Sequence, residues 1–289
     1  MDVDGRQLVF GMRSTEHNHD SGAVTPFRFE SYGVRVEITS NKQEIVDRAA
    51  QVARRSLLGE INEIGETDFD HRFVFNQTKG GTYSFVQNDR RITSGRSTKK
   101  FYKFFDSILR VSVGEYAVDR VFMHAGVVGW NGKAILLPAD SFRGKSTLVA
   151  ELVKNGASYY SDEFAIFDKN ALVHPFARPV AMRTTDGKYR TYELTVEELG
   201  GTYGEVPIPV GIVLLTEYDP TRRWDPKMLS RGQGVMEMIP FTLSISHRPE
   251  FAFRVLNKIA ERAIITSSCR GTVETFAKTL LNFVDKHVD

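Results

Sequence analysis

The stretch ILLPADSFRGKSTLVAELVKNG, residues 135 to 156, constrains the fold more than any other part of the chain. Gly144, Lys145 and Ser146 stand in the register of the phosphate-binding pattern G-x-x-x-x-G-K-[ST], but Ala139 occupies the position of its first glycine. The tripeptide alone arises by chance about once in several chains of this length. The surrounding sequence therefore decides whether it marks a nucleotide site.

The residues around this motif follow the order that a phosphate-binding loop requires, which is strand, turn and helix. The apolar run 134–137 is typical of a buried strand, and we expect Pro138 to end its pairing because proline has no N–H to donate. Asn155-Gly156 is typical of a helix end, and before it apolar residues recur at helical spacing: Leu148, Val149, Leu152 and Val153. This context predicts a phosphate-binding loop of the Walker A kind.

Composition limits the class of protein. The 289 residues are 41% hydrophobic and 26% charged, as in soluble globular proteins. With 38 basic and 36 acidic residues the net charge is +2, which favours neither a nucleic-acid partner nor a membrane surface. Cys269 is the only cysteine, which excludes an internal disulfide, and no apolar run approaches the ~20 residues of a membrane span. Without an apolar signal core near residue 1, we expect a cytoplasmic protein.

The first part of the chain predicts a tail followed by a small α+β domain. We interpret residues 1–24 as a flexible tail, in which His17, His19 and Asp20 lack a scaffold for metal binding. Residues 25–118 are expected to form the domain, with strands at 27–38 (turning at Tyr32-Gly33), 71–76 and 82–86, and helices at 42–58 and 99–119. The basic, aromatic stretch 96–105 fits a solvated helix face with buried aromatic rings better than a nucleic-acid patch.

The second part, 119–289, begins with two apolar runs joined by Asn131-Gly132, the strongest short hairpin signal. The strand that feeds the loop is therefore expected to pair antiparallel with the strand before it, whereas most phosphate-loop proteins reach the loop from a parallel β-α-β core. A further core strand is expected at 209–219, and helices at 249–263 and 271–288.

Four blocks within this part resemble the catalytic domain of HPr kinase/phosphorylase, and more closely the HPr-kinase-related proteins. They are FMHAGVV (122–128), LLPADSFRGKSTLVAELVKNGA (136–157), YYSDEFAIFD (159–168) and VHPFARPVAMR (173–183). They span about 60 contiguous residues. The resemblance implies an α/β P-loop kinase domain with an antiparallel hairpin before the loop, and a kinase that uses ATP and Mg²⁺.

The resemblance also assigns roles to individual residues. It implies that Asp162 is the general base toward the acceptor hydroxyl, that Glu163 helps to hold the metal, and that His124 lies near the γ-phosphate or the base. Lys145 would contact the β- and γ-phosphates and Ser146 would bind Mg²⁺. The whole nucleotide-binding segment would be Ser141, Phe142, Arg143, Gly144, Lys145, Ser146 and Thr147.

Arg183 is a weaker candidate for a phosphate or substrate contact, and Arg178 a weaker one still. Each assignment has a plain alternative: an Asp-Glu pair is often only solvated, a histidine in an apolar strand is often a satisfied core residue, and arginines are common on surfaces.

Two departures from the family pattern bear on function. Ala139 and Phe142 replace loop glycines, and the R-G-x-G signature expected soon after the acidic pair is found only at 231–234, far downstream. The second departure argues against HPr as the substrate and against a reverse phosphorylase reaction. The leading hypothesis is a kinase acting on a hydroxyl of a protein, a peptide or a small molecule. The alternative is a nucleotide-binding regulatory module without catalysis. A homo-oligomer is compatible with either.

Overall fold

The computed structural model describes residues 23–65, 68–140, 143–184 and 191–288, which form a mixed α/β protein with several sheets. The first sheet has six strands in the order β3-β1-β2-β4-β5-β6. Its elements, with the two helices that pack on it, are β1 Phe27–Ser31, β2 Val34–Ser40, α1 Gln43–Ser56, β3 Asn62–Glu63, β4 His71–Gln77, β5 Tyr83–Gln87, β6 Arg90–Gly95 and α2 Thr98–Tyr116.

One face of this sheet carries the core. Alternate residues of β1 and β2 are buried, as in Phe29, Val36 and Ile38, because successive side chains of a strand point to opposite faces. Helices α1 and α2 cover that face and place Phe105 and Leu109 against it. The strand β2 pairs parallel with β4, and the other pairings are antiparallel.

The second sheet has eight strands, seven of them in the order β11-β10-β7-β8-β14-β16-β15, with β9 paired to β7 beside β10. A separate two-stranded sheet is formed by β12 and β13. The elements are β7 Val121–Trp130, β8 Lys133–Pro138, α3 Lys145–Lys154, β9 Ser158–Ser161, β10 Phe164–Phe167, β11 Leu172–His174, β12 Val180–Arg183, β13 Thr191–Leu194, β14 Ile208–Tyr218, β15 Lys227–Met228, α4 Arg231–Met238, α5 Pro249–Arg262, β16 Ile264–Arg270 and α6 Val273–His287, with short 3₁₀ turns at Ile239–Phe241 and Leu243–Ser246.

This sheet lies between two helical layers. Leu136 and Val213 point to the face covered by α4 and α5, whereas their neighbours Leu137 and Leu214 point to the face covered by α3 and α6. A sheet buried on both faces explains why β7, β8 and β14 are nearly continuous apolar runs.

A β-hairpin precedes the loop segment. Strands β7 and β8 pair antiparallel, and Asn131 and Gly132 both have positive φ, as a two-residue type I′ turn requires. The other edge of β8 pairs parallel with β14, so the loop is fed by a strand with one antiparallel and one parallel neighbour. The strand β8 ends at Pro138, which lies opposite Ala125, as the missing N–H of proline predicts.

The predicted elements at 27–38, 42–58, 71–76, 82–86, 99–119, 209–219, 249–263 and 271–288 have counterparts within a few residues. The elements that were not predicted include β3, β6, β13, β15, α4 and β16. Most of the predicted tail, residues 1–22, lies outside the described residues. No helix in the described ranges is long and apolar enough to cross a bilayer.

The division into two domains near residue 118 remains a prediction. The two sheets meet at a small aromatic cluster in which Phe122 packs edge-on against Tyr32.

Candidate functional site

Strand β7 brings the two candidate motifs together. One edge of β7 pairs with β8, so that Ala125 lies opposite Pro138 at the entry to the loop. The other edge pairs first with β10, which places His124 opposite Phe164, and then with β9. The acidic pair Asp162-Glu163 occupies the break between β9 and β10 and therefore lies across a single strand from the loop.

The loop enters α3 through Gly144, which has a left-handed conformation with φ of 77°. The first backbone hydrogen bond of the helix runs from Leu148 N–H to the Gly144 carbonyl. The amides of Lys145, Ser146 and Thr147 therefore have no partner within the helix and are oriented as an anion-binding terminus would require. Ser141 and Phe142 lie outside the described residues. Ala139 does not have positive φ, so its replacement of glycine creates no backbone strain.

Lys145 points from the start of α3 toward β7. Its ammonium lies 3.2 Å from Nε2 of His124 and 3.4 Å from the Ala139 carbonyl oxygen. Gly126 makes room for the lysine stem, because a Cβ at that position would be 3.1 Å from Lys145 Cγ. Burial lowers the pKa of Lys145, and the nearby carboxylates, chiefly that of Asp162, partly offset this effect.

His124 is held as a neutral acceptor. Burial lowers its pKa, and the positive charge of Lys145 lowers it further. Because a lysine ammonium can only donate, Nε2 of the imidazole accepts the hydrogen bond and the ring proton is assigned to Nδ1. The structure thus places His124 next to the candidate phosphate-binding lysine, and its role toward a phosphate stays a prediction.

Asp162 is 9% exposed, and its Oδ1 has no hydrogen-bond partner among the described residues. The Ser146 side chain and the Ala181 backbone lie close to this carboxylate. Burial raises its pKa to about 6, although Ser146, Lys145 and the Ala181 backbone oppose the increase and Glu163 adds to it. A buried carboxylate with one unused oxygen and a pKa close to neutrality has the properties of a general base.

Glu163 is bound from the side of the first sheet. Arg110 of α2 donates to its Oε1 at 2.9 Å and also pairs with Asp106 at 2.6 Å. Arg178 reaches the same Asp106 at 3.0 Å. Burial acts to raise the pKa of Asp106, but the two guanidinium groups outweigh it and hold the pKa below its usual range. Two arginines and two carboxylates thus join α2 to the acidic pair.

The sequence contains a pattern that indicates this network, although the network was not predicted. Asp106 and Arg110 are four residues apart on the face of α2 that also carries Phe105, Leu109 and Val113. Charged residues on the apolar face of a helix are almost always paired. The identity of their partners depends on the contact between the two sheets.

Arg183 and Arg143 lie on different sides of the loop. Arg183, at the end of β12, is exposed and lines a cleft of about 1280 Å³ that also contains Lys145 and Asp162. The Arg143 side chain instead lies 3.5 Å from Glu217 and lines a separate hollow of about 540 Å³ at the ends of β8, β14 and β16.

Arg270 braces the loop and was not predicted. It ends β16 and is 3% exposed, and its guanidinium donates to the carbonyl oxygens of Arg143 and Gly144 at 3.3 and 3.1 Å. Burial lowers its pKa, and the Tyr218 phenol, over which the guanidinium lies at 5.4 Å, partly offsets the decrease. These contacts fix the carbonyls on the outer side of the turn. The amides that follow are thereby held in place at the start of α3.

We expect Gly144→Ala to destabilise the protein more than Gly132→Ala. Both glycines have φ near +76° (77° and 75°), so the left-handed conformation costs an alanine about 1–2 kcal/mol at either position. A Cβ at 144 would also lie 2.6 Å from the Arg270 guanidinium, whereas a Cβ at 132 meets nothing within 4 Å. Urea denaturation of the two variants measures the difference, and equal losses would show that Arg270 does not brace the loop.

The residues fit a magnesium nucleotide better than a bare metal ion. No cluster of three or more His, Cys, Asp or Glu side chains with metal-holding geometry occurs in the described ranges. Mg²⁺ in nucleotide sites, however, is usually held by one or two carboxylates together with phosphates and waters. The Ser146 hydroxyl is suited to that task, together with the carboxylate oxygen of Glu163 that Arg110 does not engage. The unpaired Oδ1 of Asp162 would then remain for the acceptor proton.

No protein-family model matches the chain, and no curated protein matches it in sequence. Among solved structures, the HPr(Ser) kinase/phosphatase from Coxiella burnetii is similar, with 13% sequence identity, coverage of 57% of this chain and 95% of that chain, and a TM-score of 0.31. A likeness of this size carries no weight for activity. What the structure defines is a mixed α/β protein in which a lysine, a serine and a buried carboxylate converge at the start of a helix.

Proposed function

We propose that this protein is an ATP- and Mg²⁺-dependent kinase that transfers a phosphoryl group to a hydroxyl of a protein, a peptide or a small molecule. The observation that carries the proposal is Asp162, a buried carboxylate with a raised pKa that lies close to Ser146 and Lys145. A carboxylate in that position next to a phosphate-binding helix start is what phosphoryl transfer requires.

Each residue has a definite task in this proposal. Lys145 and the amides that begin α3 bind the phosphates and neutralise their charge. Asp162 takes the proton of the acceptor hydroxyl while the hydroxyl oxygen bonds to the γ-phosphorus and the bond to the β–γ bridging oxygen breaks, which releases ADP. Bound Mg²⁺ would neutralise charge that develops on the phosphates, held by Ser146 with the oxygen of Glu163 that Arg110 does not engage. His124 orients Lys145 through their hydrogen bond.

One observation favours the alternative, a nucleotide-binding regulatory module. The Lys145 ammonium is already in contact with His124 and the Ala139 carbonyl, an arrangement that a resting or inactive site would also have. The two functions differ in their products. A kinase forms a phosphorylated acceptor and ADP, whereas a regulatory module binds nucleotide and forms neither.

Nucleotide binding is tested first with Lys145→Ala. We expect ATP with Mg²⁺ to raise the melting temperature of the unaltered protein, because a ligand at a hundredfold excess over its Kd stabilises the folded state by about 2.7 kcal/mol. The Lys145→Ala protein should lose most of this shift, and the exposed control Lys278→Ala should keep it. If no nucleotide shifts the melting temperature of the unaltered protein, both functions are excluded.

A further inference from the structure

The cleft of about 1280 Å³ is wider than the catalytic centre alone requires. One wall contains Lys145, Asp162 and Glu163, and the opposite wall is formed by α1 and α2 of the first sheet. Pockets for small molecules usually enclose about 300–1,000 Å³. Residues of both helices line the cleft in addition to the catalytic residues, and a cleft of this volume can hold an extended chain.

The helical wall carries a row of cations. Arg48 and Arg55 on α1, and Lys99 and Lys103 on α2, line the cleft, and their spacings of seven and four residues place each pair on one helix face. Among the described residues, none of these four side chains forms an ion pair with a carboxylate. Arg48 lies over the Tyr102 ring at 4.8 Å, and Lys103 donates to the Thr191 hydroxyl at 3.3 Å.

The row leads directly to the candidate base. Arg110, farther along α2, is bonded to Glu163, the neighbour of Asp162. At 1.5 Å per residue, Lys103 and Lys99 lie about 10 and about 16 Å before Arg110 along the helix. An extended chain advances about 3.3 Å per residue, so these distances correspond to about three to five residues.

We infer that the cleft binds an acidic peptide segment of the acceptor, whose serine or threonine reaches Asp162 while carboxylates three to five residues away contact Lys99, Lys103 and Arg55. This inference rests on the proposed function and specifies its substrate class. It also gives the first sheet a task, which is to present α1 and α2 to the acceptor.

Charge at the catalytic end favours a peptide over a nucleic acid. Asp140, Asp162, Glu163 and Glu193 line that end of the same cleft. Beyond the ATP phosphates that Lys145 would bind, a nucleic-acid acceptor would bring further phosphates next to these carboxylates, whereas a peptide needs negative charge only beside the lysines. A segment with an uncharged acceptor end and an acidic flank matches both ends of the cleft.

Binding is measured by the fluorescence anisotropy of labelled peptides on the full chain. The probes contain one serine and a run of glutamates three to five residues before or after it, and the control peptides carry glutamine instead. We expect one glutamate peptide to bind and to bind less tightly as salt increases, and the glutamine peptides to bind at least about tenfold more weakly.

The variant with Lys99→Glu and Lys103→Glu should bind the glutamate peptide at least about tenfold more weakly than the unaltered protein. The matched control is Lys278→Glu with Lys286→Glu, which makes the same charge change at exposed positions of α6. Its Kd for the glutamate peptide should stay within about twofold of that of the unaltered protein. Replacement of Lys99 and Lys103 by arginine should preserve binding.

Equal binding of glutamate and glutamine peptides, or an equal loss in the α6 control, would overturn the inference. A short single-stranded oligonucleotide that binds more tightly and depends on the same two lysines would assign the cleft to nucleic acid and also overturn it. The melting shift with ATP, measured on the same variants, separates this inference from the kinase assignment. Selective binding of the glutamate peptide without a change in melting temperature on addition of ATP refutes only the proposed kinase function. A change in melting temperature with ATP but without selective peptide binding refutes only the inference that the cleft binds an acidic segment.

Discussion

Asp162→Asn is expected to reduce phosphoryl transfer by about 10²–10⁴-fold, because a positioned general base contributes that factor and asparagine accepts no proton. The substitution keeps the shape and volume of the side chain. Nucleotide binding without metal should persist, since Lys145 and the helix amides provide it. The measurement is the transfer of labelled phosphate from ATP with Mg²⁺ to candidate acceptors, which include the protein itself.

The pH dependence gives a second measurement of the same residue. Because burial raises the pKa of Asp162 to about 6, the protonated form predominates below that pH and the base is lost. We therefore expect kcat/KM of the unaltered protein to rise with pH through about 6, and Asp162→Asn to lack this rise. Transfer that survives the substitution unchanged would remove Asp162 from the mechanism and leave Glu163 or His124 as candidates. Absence of transfer in both proteins, with intact ATP binding, would favour the regulatory module.

Asp106→Asn is expected to lower the free energy of unfolding by about 3–5 kcal/mol, since it leaves the buried Arg110 guanidinium and the half-buried Arg178 guanidinium without their shared carboxylate. The side chains of Asp106 and Arg110 are 9% and 6% exposed, and that of Arg178 is 17% exposed. Urea denaturation at neutral pH measures the loss. Catalysis should also fall, because Arg110 would then be free to move away from Glu163.

Asp119→Asn is the matched control for this substitution. Asp119 pairs with Arg120 at 2.8 Å, but its side chain is 66% exposed, so its loss should cost less than about 1 kcal/mol.

The free energy of unfolding should also depend on pH in a definite direction. The pKa of Asp106 is depressed in the folded state, so its contribution is present above its ordinary value of 3.8 and is lost as the pH falls through the folded-state pKa. The difference between Asp106→Asn and the unaltered protein should therefore narrow in acid. Similar losses for Asp106→Asn and Asp119→Asn would contradict a structural role for the network.

Local sequence predicted the elements whose signals lie within a few residues. Asn131-Gly132 between two apolar runs predicted the hairpin, and the order of strand, loop and amphipathic segment predicted α3. Strand β16, IITSSCR, was missed because its last five residues are mostly polar and form no apolar run, although Thr266 and Arg270 are buried. Its place between β14 and β15 is set by pairing with distant strands, which leaves no local periodicity.

Local sequence was enough to predict the hairpin, the loop-to-helix turn and the residue types of the candidate site, because turn conformations and helix starts depend on neighbouring residues. Three contacts depend on long-range packing instead: β7 places Asp162 across one strand from Lys145, Arg110 holds Glu163, and Arg270 holds the Gly144 carbonyl. Arg110 and Glu163 are 53 positions apart in the sequence, and Arg270 and Gly144 are 126 positions apart. Contacts over such separations form because each buried charge requires an opposite charge or a hydrogen-bond partner, and the packing of the two sheets determines which group supplies it.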